Sequence, residues 1–519
     1  MTIETFKEQI QAAYTFNGKS VLLGGPVYDK KPVSGLSVTI PLSTVNRHGL
    51  IAGATGTGKT KSIQRFAEAL SEQGVNVLLM DIKGDISGIS KAGIENQKIK
   101  ERMELIGVPW SACKYPTELM TISDEKGLRL RATVSEFGPV LFSKVLELNE
   151  NQEGALAIIF KYCDDKKMPL LDIKDFRAVL QYLSEGEGKK EIEKNYGAIA
   201  PSSSGVIMRK LLELEQQGGD KFFGEKSFEV EDLLQKDSDG KAFINILRLT
   251  DIQDKPKLFS TFMLCLLAEI YSKYPEIGDK GVPKLVLFID EAHLVFREAS
   301  KALLQQLETI IKLIRSKGVG IYFCTQAPTD IPDVILSQLG MKIQHALRAF
   351  TARDRKDIKL VAENFPLTDF YDTDQLITEL GIGEALVTVL NEKGAPTALV
   401  HTLMCAPKSR MDILTPAEQD EKVNSSKIAT EYNEVIDRES AYEILNRKIS
   451  VPSDKNDTDP DNPENTMDEK TSGVGDTIKT IANSSLTKTI FREVTRGLLG
   501  VLIGKPARRS SGRKSKSFF

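Results

Sequence analysis

The eight residues Gly53-Ala54-Thr55-Gly56-Thr57-Gly58-Lys59-Thr60 match, without a mismatch, the pattern GxxxxGK closed by Ser or Thr. The chemistry of such a run is phosphate binding. Glycines let successive backbone N–H groups form a concave anion nest, because a Cβ would block close approach of the phosphate. A strand ends at Gly53 and a helix begins near Lys59, so the nest also lies at the positive end of a helix. Lys59 is placed to reach β- and γ-phosphates, and Thr60 to ligand Mg²⁺ through its hydroxyl.

A second pattern, KLVLFIDEAH, sets Asp290 and Glu291 at the end of a hydrophobic strand. In a parallel sheet such ends face the ligand crevice. Asp290 is expected to hold Mg²⁺ through water, and Glu291 to orient and polarise an attacking water. A strand ending in Cys324-Thr325-Gln326 is expected beside the acid strand, with the Gln326 amide on the γ-phosphate or the lytic water. Three arginines, Arg315, Arg348 and Arg47, can each bring a fixed, forked charge to the γ-phosphate, or can make ordinary surface ion pairs. Asp81 and Asp85, in MDIKGDISG, either touch the nucleotide site or form a simple turn. His48 and His293 have no metal-ligand spacing between them and read as core or turn residues.

These residues need a sheet to position them. From about residue 46 to 405, short β-branched runs alternate with helical stretches, the pattern of a parallel sheet with crossover helices. The expected strands are 48–53, 75–81, 241–247, 284–290, 320–326 and 342–348, each a near-continuous apolar run as strands covered on both faces should be. Residues 138–218 read as a helical insertion, and a hairpin is expected around Lys393-Gly394. The expected organisation is a short β-rich segment over 1–45, the α/β core over 46–410, a largely disordered acidic linker over 411–486, and an amphipathic helix with a basic tail over 487–519. On that last helix Phe491, Val494, Leu498 and Val501 share one face.

The 519 residues are 41% hydrophobic and 27% charged, which excludes global disorder. A net charge of -3 excludes a chain-wide basic field for nucleic acid, so any such binding must use local patches. Five scattered cysteines form no CxxC pair, which argues against a disulfide framework or structural zinc and fits a reducing cytoplasm. The N-terminus has no apolar signal region, and the longest apolar run, near Phe262–Ile270, is too short for a membrane span of about 20 residues.

Taken together, NRHGLIAGATGTGKT, MDIKGD, LFIDEAH, IIKLIRSKGVG and FCTQAPTDIPDVILSQLG resemble the HerA-like branch of the HerA/FtsK P-loop ATPases, in particular the bacterial helicase HerA-like, C-terminal family. The resemblance covers about residues 40–410 and implies a RecA-like, additional-strand fold. It also implies ATP and Mg²⁺ as cofactors, ATP hydrolysis, hexameric rings that translocate double-stranded DNA, and a nuclease partner. By position it matches Lys59 and Thr60 to the phosphate-loop pair, Asp290 and Glu291 to the acid pair, and Gln326 to the sensor glutamine. Arg315 matches an arginine acting across the subunit interface, and Arg47 a further arginine near the nucleotide. Only about 40 residues precede the core, too few for the N-terminal β-barrel of the archaeal enzymes. The leading expectation is an ATP-driven DNA motor, and the alternative a nucleotide-gated switch or scaffold acting on a protein partner. A two-domain DEAH-type helicase is excluded, because about 95 foldable residues follow Gln326, fewer than a second such domain needs.

Overall fold

A computed structural model describes residues 2–278, 282–296, 301–434, 436 and 438–450. The part of the expected linker beyond residue 450 and the expected helix and tail over 487–519 lie outside the described residues. Among the described residues, thirteen strands form one sheet: β1 (Ser20–Tyr28), β2 (Lys31–Pro32), β3 (Val38–Pro41), β4 (Gly49–Ala52), β5 (Asn76–Asp81), β6 (Thr117–Thr121), β7 (Leu128–Arg129), β8 (Ile244–Arg248), β9 (Leu285–Ile289), β10 (Val319–Thr325), β11 (Met341–Gln344), β12 (Glu384–Thr388) and β13 (Val400–Met404). Their order is β2-β1-β13-β12-β11-β4-β10-β9-β5-β8-β6-β7, with β3 also paired to β1. From β11 to β7 every pairing is parallel, and β12, β13 and the N-terminal strands add antiparallel.

The apolar strands alternate between two cores. Leu78, Met80, Leu285, Leu287, Ile321 and Phe323 pack into one face of the sheet, and Val77, Leu79, Val286, Phe288, Tyr322 and Cys324 into the other. Both faces are covered, which is why these runs carry no polar alternation. The helix Lys59–Glu72 is fixed on the second face by Phe66, whose ring meets Phe288 at 5.4 Å and Tyr322 at 5.2 Å, both edge-on.

The central strands stand as expected, and the hairpin β12–β13 turns at Gly394. Five helices between Val134 and Gln216 take up the region expected to be a helical insertion, beginning a few residues before 138. Four features differ from expectation. The N-terminal segment opens with a helix, Ile3–Tyr14, burying Phe6, Ile10 and Tyr14, and its strands join the main sheet through β1 and β13. Strands β6 and β7 were not expected. The strand expected over 342–348 stops at Gln344, because the backbone then turns to the phosphate loop: His345 N–H donates to the Ala52 carbonyl (2.7 Å) and Ala54 N–H to the Ala346 carbonyl (2.8 Å). The stretch from 411, expected to be a disordered linker, carries helices Pro416–Asn424, Ala429–Asn433 and Ala441–Ser450. Tyr432 anchors it, donating to Asp232 Oδ2 (2.6 Å) and accepting from Glu229 N–H (3.0 Å).

The apolar run Phe262–Ile270 lies inside the 18-residue helix Pro256–Lys273. No helix among the described residues is long and apolar enough to cross a membrane. Glu269 lies in this helix. Burial pushes its carboxyl up to about 8, Glu136 adds to the effect, and Lys273 only partly counters it. The folded protein therefore keeps a proton that the unfolded chain, with an ordinary value of 4.5, gives up first. The stability this group confers is present below pH 4.5 and lost as pH rises toward 8. Glu269→Gln keeps the shape without the charge. It should match the wild type near about pH 4 and exceed it near about pH 9 by about 2 kcal/mol or more. Urea midpoints at the two pH values check this, and a constant difference between the two proteins would contradict it.

Candidate active site

The phosphate loop is held from three sides. Gly53 N–H donates to the Thr325 carbonyl at the end of β10 (3.3 Å), Ala54 N–H to Ala346 beyond β11, and the Thr57 carbonyl accepts from Gly383 N–H (2.9 Å). The 381–383 loop is itself gripped by Arg102, whose guanidinium donates to the carbonyls of Ile382, Gly383 and Met404. Inside the loop, Lys59 Nζ donates to the carbonyls of Gly53 (2.5 Å) and Ala54 (3.1 Å). Burial, with the nearby Lys83 charge, lowers its pKa. Behind the loop lies the fully buried His345. Its Nδ1 donates to the Glu384 carbonyl (2.8 Å), and burial lowers its pKa to about 4, so the ring is neutral.

Strand β10 lies between the phosphate-loop strand β4 and the acid strand β9, so three carboxyl ends stand side by side. Asp290 and Glu291 follow β9, and both are buried. Burial, with Glu291 alongside, pushes the Asp290 carboxyl up to about 6 although Lys83 opposes the shift, and its Oδ2 is buried without a hydrogen-bond partner. Glu291 occupies the left-handed backbone region at φ 43, costly for a residue with a side chain, and is held there by Leu294 N–H on its carbonyl and Ala292 N–H on Cys324. Its carboxylate pairs with Lys83 through Oε1, lies 3.3 Å from His293 Nδ1 through Oε2, and accepts from Gln326 Nε2 at 3.5 Å. Burial disfavours its charge, but Lys83 above all outweighs that and holds its pKa below the usual range.

The turn after β5 completes the crevice. Asp81, 1% exposed, accepts from the N–H groups of Gly84, Asp85 and Ile86, so it organises the turn and does not face ligand. Burial, with Asp85, pushes its carboxyl up to about 7. Gly84 permits the turn at φ 75. The turn presents Asp85, whose Oδ2 accepts from the Thr60 hydroxyl (3.2 Å), and Lys83. The oxygens of Thr60, Asp85 and Asp290 suit a hard cation completed by phosphate and water, as Mg²⁺ prefers. No cluster of three or more metal-holding side chains exists among the described residues. Lys83 was not singled out from the sequence, because a lysine in a polar turn ordinarily reads as solvated; its only signal was its place at the end of the strand beside the acid strand. His345 likewise read as part of a strand.

Of the arginines, Arg348 lies at the phosphate end, exposed, with Nη1 donating to the Thr378 carbonyl (2.8 Å). Arg47 and Arg315 lie at the other end. Arg47 precedes β4 and packs against Gly394 of the hairpin turn, while Arg315 precedes β10 and its carbonyl accepts from Asn46 Nδ2 (3.2 Å). The length of β10 separates Arg315 from Gln326, roughly 20 Å for such a strand. The structure therefore does not bring Arg47 or Arg315 to this chain's own phosphate loop.

The family described as Helicase HerA-like C-terminal matches residues 29–509. The DNA import protein CedB of Sulfolobus acidocaldarius is 23% identical over 395 residues, covering 75% of this chain and 57% of CedB. The DNA double-strand break repair helicase HerA of the same organism is 23% identical over 380 residues, covering 68% of this chain and 64% of that protein. The chain thus spans less than two thirds of the length of either relative. Among solved structures, the bacterial conjugative coupling protein TrwBdeltaN70 superposes with a TM-score of 0.51 at 13% identity, covering 78% of this chain and 94% of that one. That likeness is one of fold, a RecA-like mostly parallel sheet with helices.

Two loop glycines separate packing from backbone strain. A Cβ at Gly53, where φ is 153, would lie 2.5 Å from His345 Cβ; at Gly56, where φ is 77, nothing lies within 4 Å. Gly56→Ala should cost about 1–2 kcal/mol, the backbone term alone. Gly53→Ala should cost at least about 1 kcal/mol more and weaken nucleotide binding, because the loop must move away from His345. Urea unfolding and calorimetry of both variants check this; equal losses would show the loop does not depend on that contact.

Proposed function

Because the chain belongs to the helicase HerA-like C-terminal family, we propose that it is a Mg²⁺-dependent ATPase that drives movement along duplex DNA as a ring of identical subunits. One observation carries the reading: Lys59, Thr60, Asp290, Glu291 and Gln326 gather at one end of the sheet, while Arg47 and Arg315 stand at the opposite end. A site so divided gains its arginine from a neighbouring copy. The names of the relatives, a DNA import protein and a DNA repair helicase, support DNA as the substrate.

In this reading the triphosphate enters the loop and Lys59 leaves the Gly53 and Ala54 carbonyls for β- and γ-phosphate oxygens. Thr60 and Asp290, with Asp85 behind them, would hold Mg²⁺, and the chemistry that ion would supply is neutralisation of phosphate charge. Glu291 takes a proton from the attacking water as the water oxygen bonds to the γ-phosphorus, and the bond to the β–γ bridging oxygen breaks with its electrons staying on ADP. Gln326 fixes the water's position. An arginine from the next subunit, Arg315 foremost, stabilises the charge spread over the γ-oxygens, a contribution of about 10³–10⁵ in rate where such fingers are known.

Phosphate release with and without duplex DNA tests the proposal. Duplex DNA should raise the wild-type rate several-fold. Lys59→Ala should lower turnover by about 10²–10³ and weaken nucleotide binding. Glu291→Gln should bind ATP yet stall, since an amide cannot take the proton. A wild-type rate indifferent to DNA would overturn the motor and leave the nucleotide-gated switch; normal turnover by Lys59→Ala would overturn the site itself.

A further inference from the structure

Resting on that ATPase reading, we propose that Lys83 senses the γ-phosphate: it pairs with Glu291 while the site lacks a triphosphate, and swings to the γ-phosphate when one binds, freeing the Glu291 carboxylate for the attacking water. The turn that carries Lys83 is rigid, since Asp81 ties three of its N–H groups and Gly84 sets its bend. Any movement therefore belongs to the four-carbon side chain, which is 31% exposed and free to swing in the crevice. Glu291 is the fixed partner. Its backbone is locked at φ 43, and His293 at 3.3 Å and Gln326 at 3.5 Å still hold its carboxylate once the lysine leaves.

The charges set the direction of the exchange. Lys83 lies among Glu291, Asp290 and Asp85, and Lys59 is close enough for the two ammonium groups to disfavour each other. A γ-phosphate between the two lysines removes that repulsion and offers Lys83 a doubly charged acceptor. A diphosphate does not reach this position. While the ion pair persists, Lys83 occupies a lone pair of Glu291 Oε1 and lowers the basicity of the carboxylate, so the base is held back until triphosphate draws the lysine away. This links hydrolytic competence to the presence of the third phosphate within one subunit, separately from any arginine supplied by a neighbour.

The test is calorimetry on the full chain with a non-hydrolysable triphosphate analogue and with ADP, each with and without Mg²⁺. Lys83→Met should weaken analogue binding about 10-fold or more, the loss of one charge-assisted hydrogen bond, and leave ADP binding within about 2-fold. Lys83→Arg should keep part of the preference for triphosphate. Glu291→Gln releases the lysine from its resting partner, so it should tighten the analogue several-fold in the presence of Lys83 and much less in combination with Lys83→Met. If the gain from Glu291→Gln is the same with and without Lys83→Met, simple relief of repulsion explains it and the exchange is wrong. Equal weakening of analogue and ADP by Lys83→Met also overturns the inference. Failure of the wild type to bind either nucleotide would instead overturn the ATPase reading beneath it.

Discussion

In a parallel sheet every strand delivers its carboxyl end to the same edge, and the rest of this molecule depends on that constraint. Strands β4, β10, β9 and β5 are adjacent and parallel, so the phosphate loop, Gln326, the Asp290–Glu291 pair and the Asp81–Ile86 turn meet although Gln326 lies 273 positions after Gly53 in the chain. The same constraint sends everything that precedes those strands to the opposite edge. Arg47 and Arg315 are therefore remote from their own phosphate loop for a topological reason, and no side-chain rotation changes it.

The crevice concentrates charge in a partly dry setting. Burial raises the Asp81 and Asp290 carboxyls to about 7 and about 6, close to the point where a neighbour decides their state, and it also lowers the Lys59 ammonium. Asp81 spends its oxygens on backbone N–H groups, and Glu291 is charged because Lys83 is there. Charges arranged in this way respond strongly to an arriving polyphosphate and cation, which is what a nucleotide-driven cycle requires.

Much of this was legible in the sequence. The phosphate loop and acid pair announce themselves because their chemistry tolerates few substitutes, and β5, β9 and β10 because a strand buried on both faces is apolar throughout. The unexpected elements share a cause, which is burial supplied by distant chain. Strand β6 is TELMT, too polar to read as buried, yet Glu118 is covered where the 416–424 helix packs, and burial raises its pKa although Ser426 and Lys422 oppose the shift. The charged stretch after 411 folds because a few residues find partners far away: Tyr432 on Asp232, and Ser440 on Asp175. The N-terminal helix did carry a signal, Phe6, Ile10 and Tyr14 at helical spacing. Lys83 carried none strong enough to separate it from any lysine in a turn, and the local pattern alone could not show which end of the sheet receives Arg47.

The central claim is that one subunit cannot complete its own site, and mixing two defective subunits tests it most directly. In the proposed ring, Arg315→Ala would spoil the edge a subunit offers its neighbour, and Glu291→Gln the crevice that receives it. In mixed rings some interfaces pair an intact Arg315 with an intact Glu291. The ATPase rate of the mixture, followed across mixing ratios, should rise above the weighted sum of the two variants alone. A rate that never exceeds that sum, in samples where mixed oligomers are demonstrated, would contradict the account and place Arg315 in a structural role.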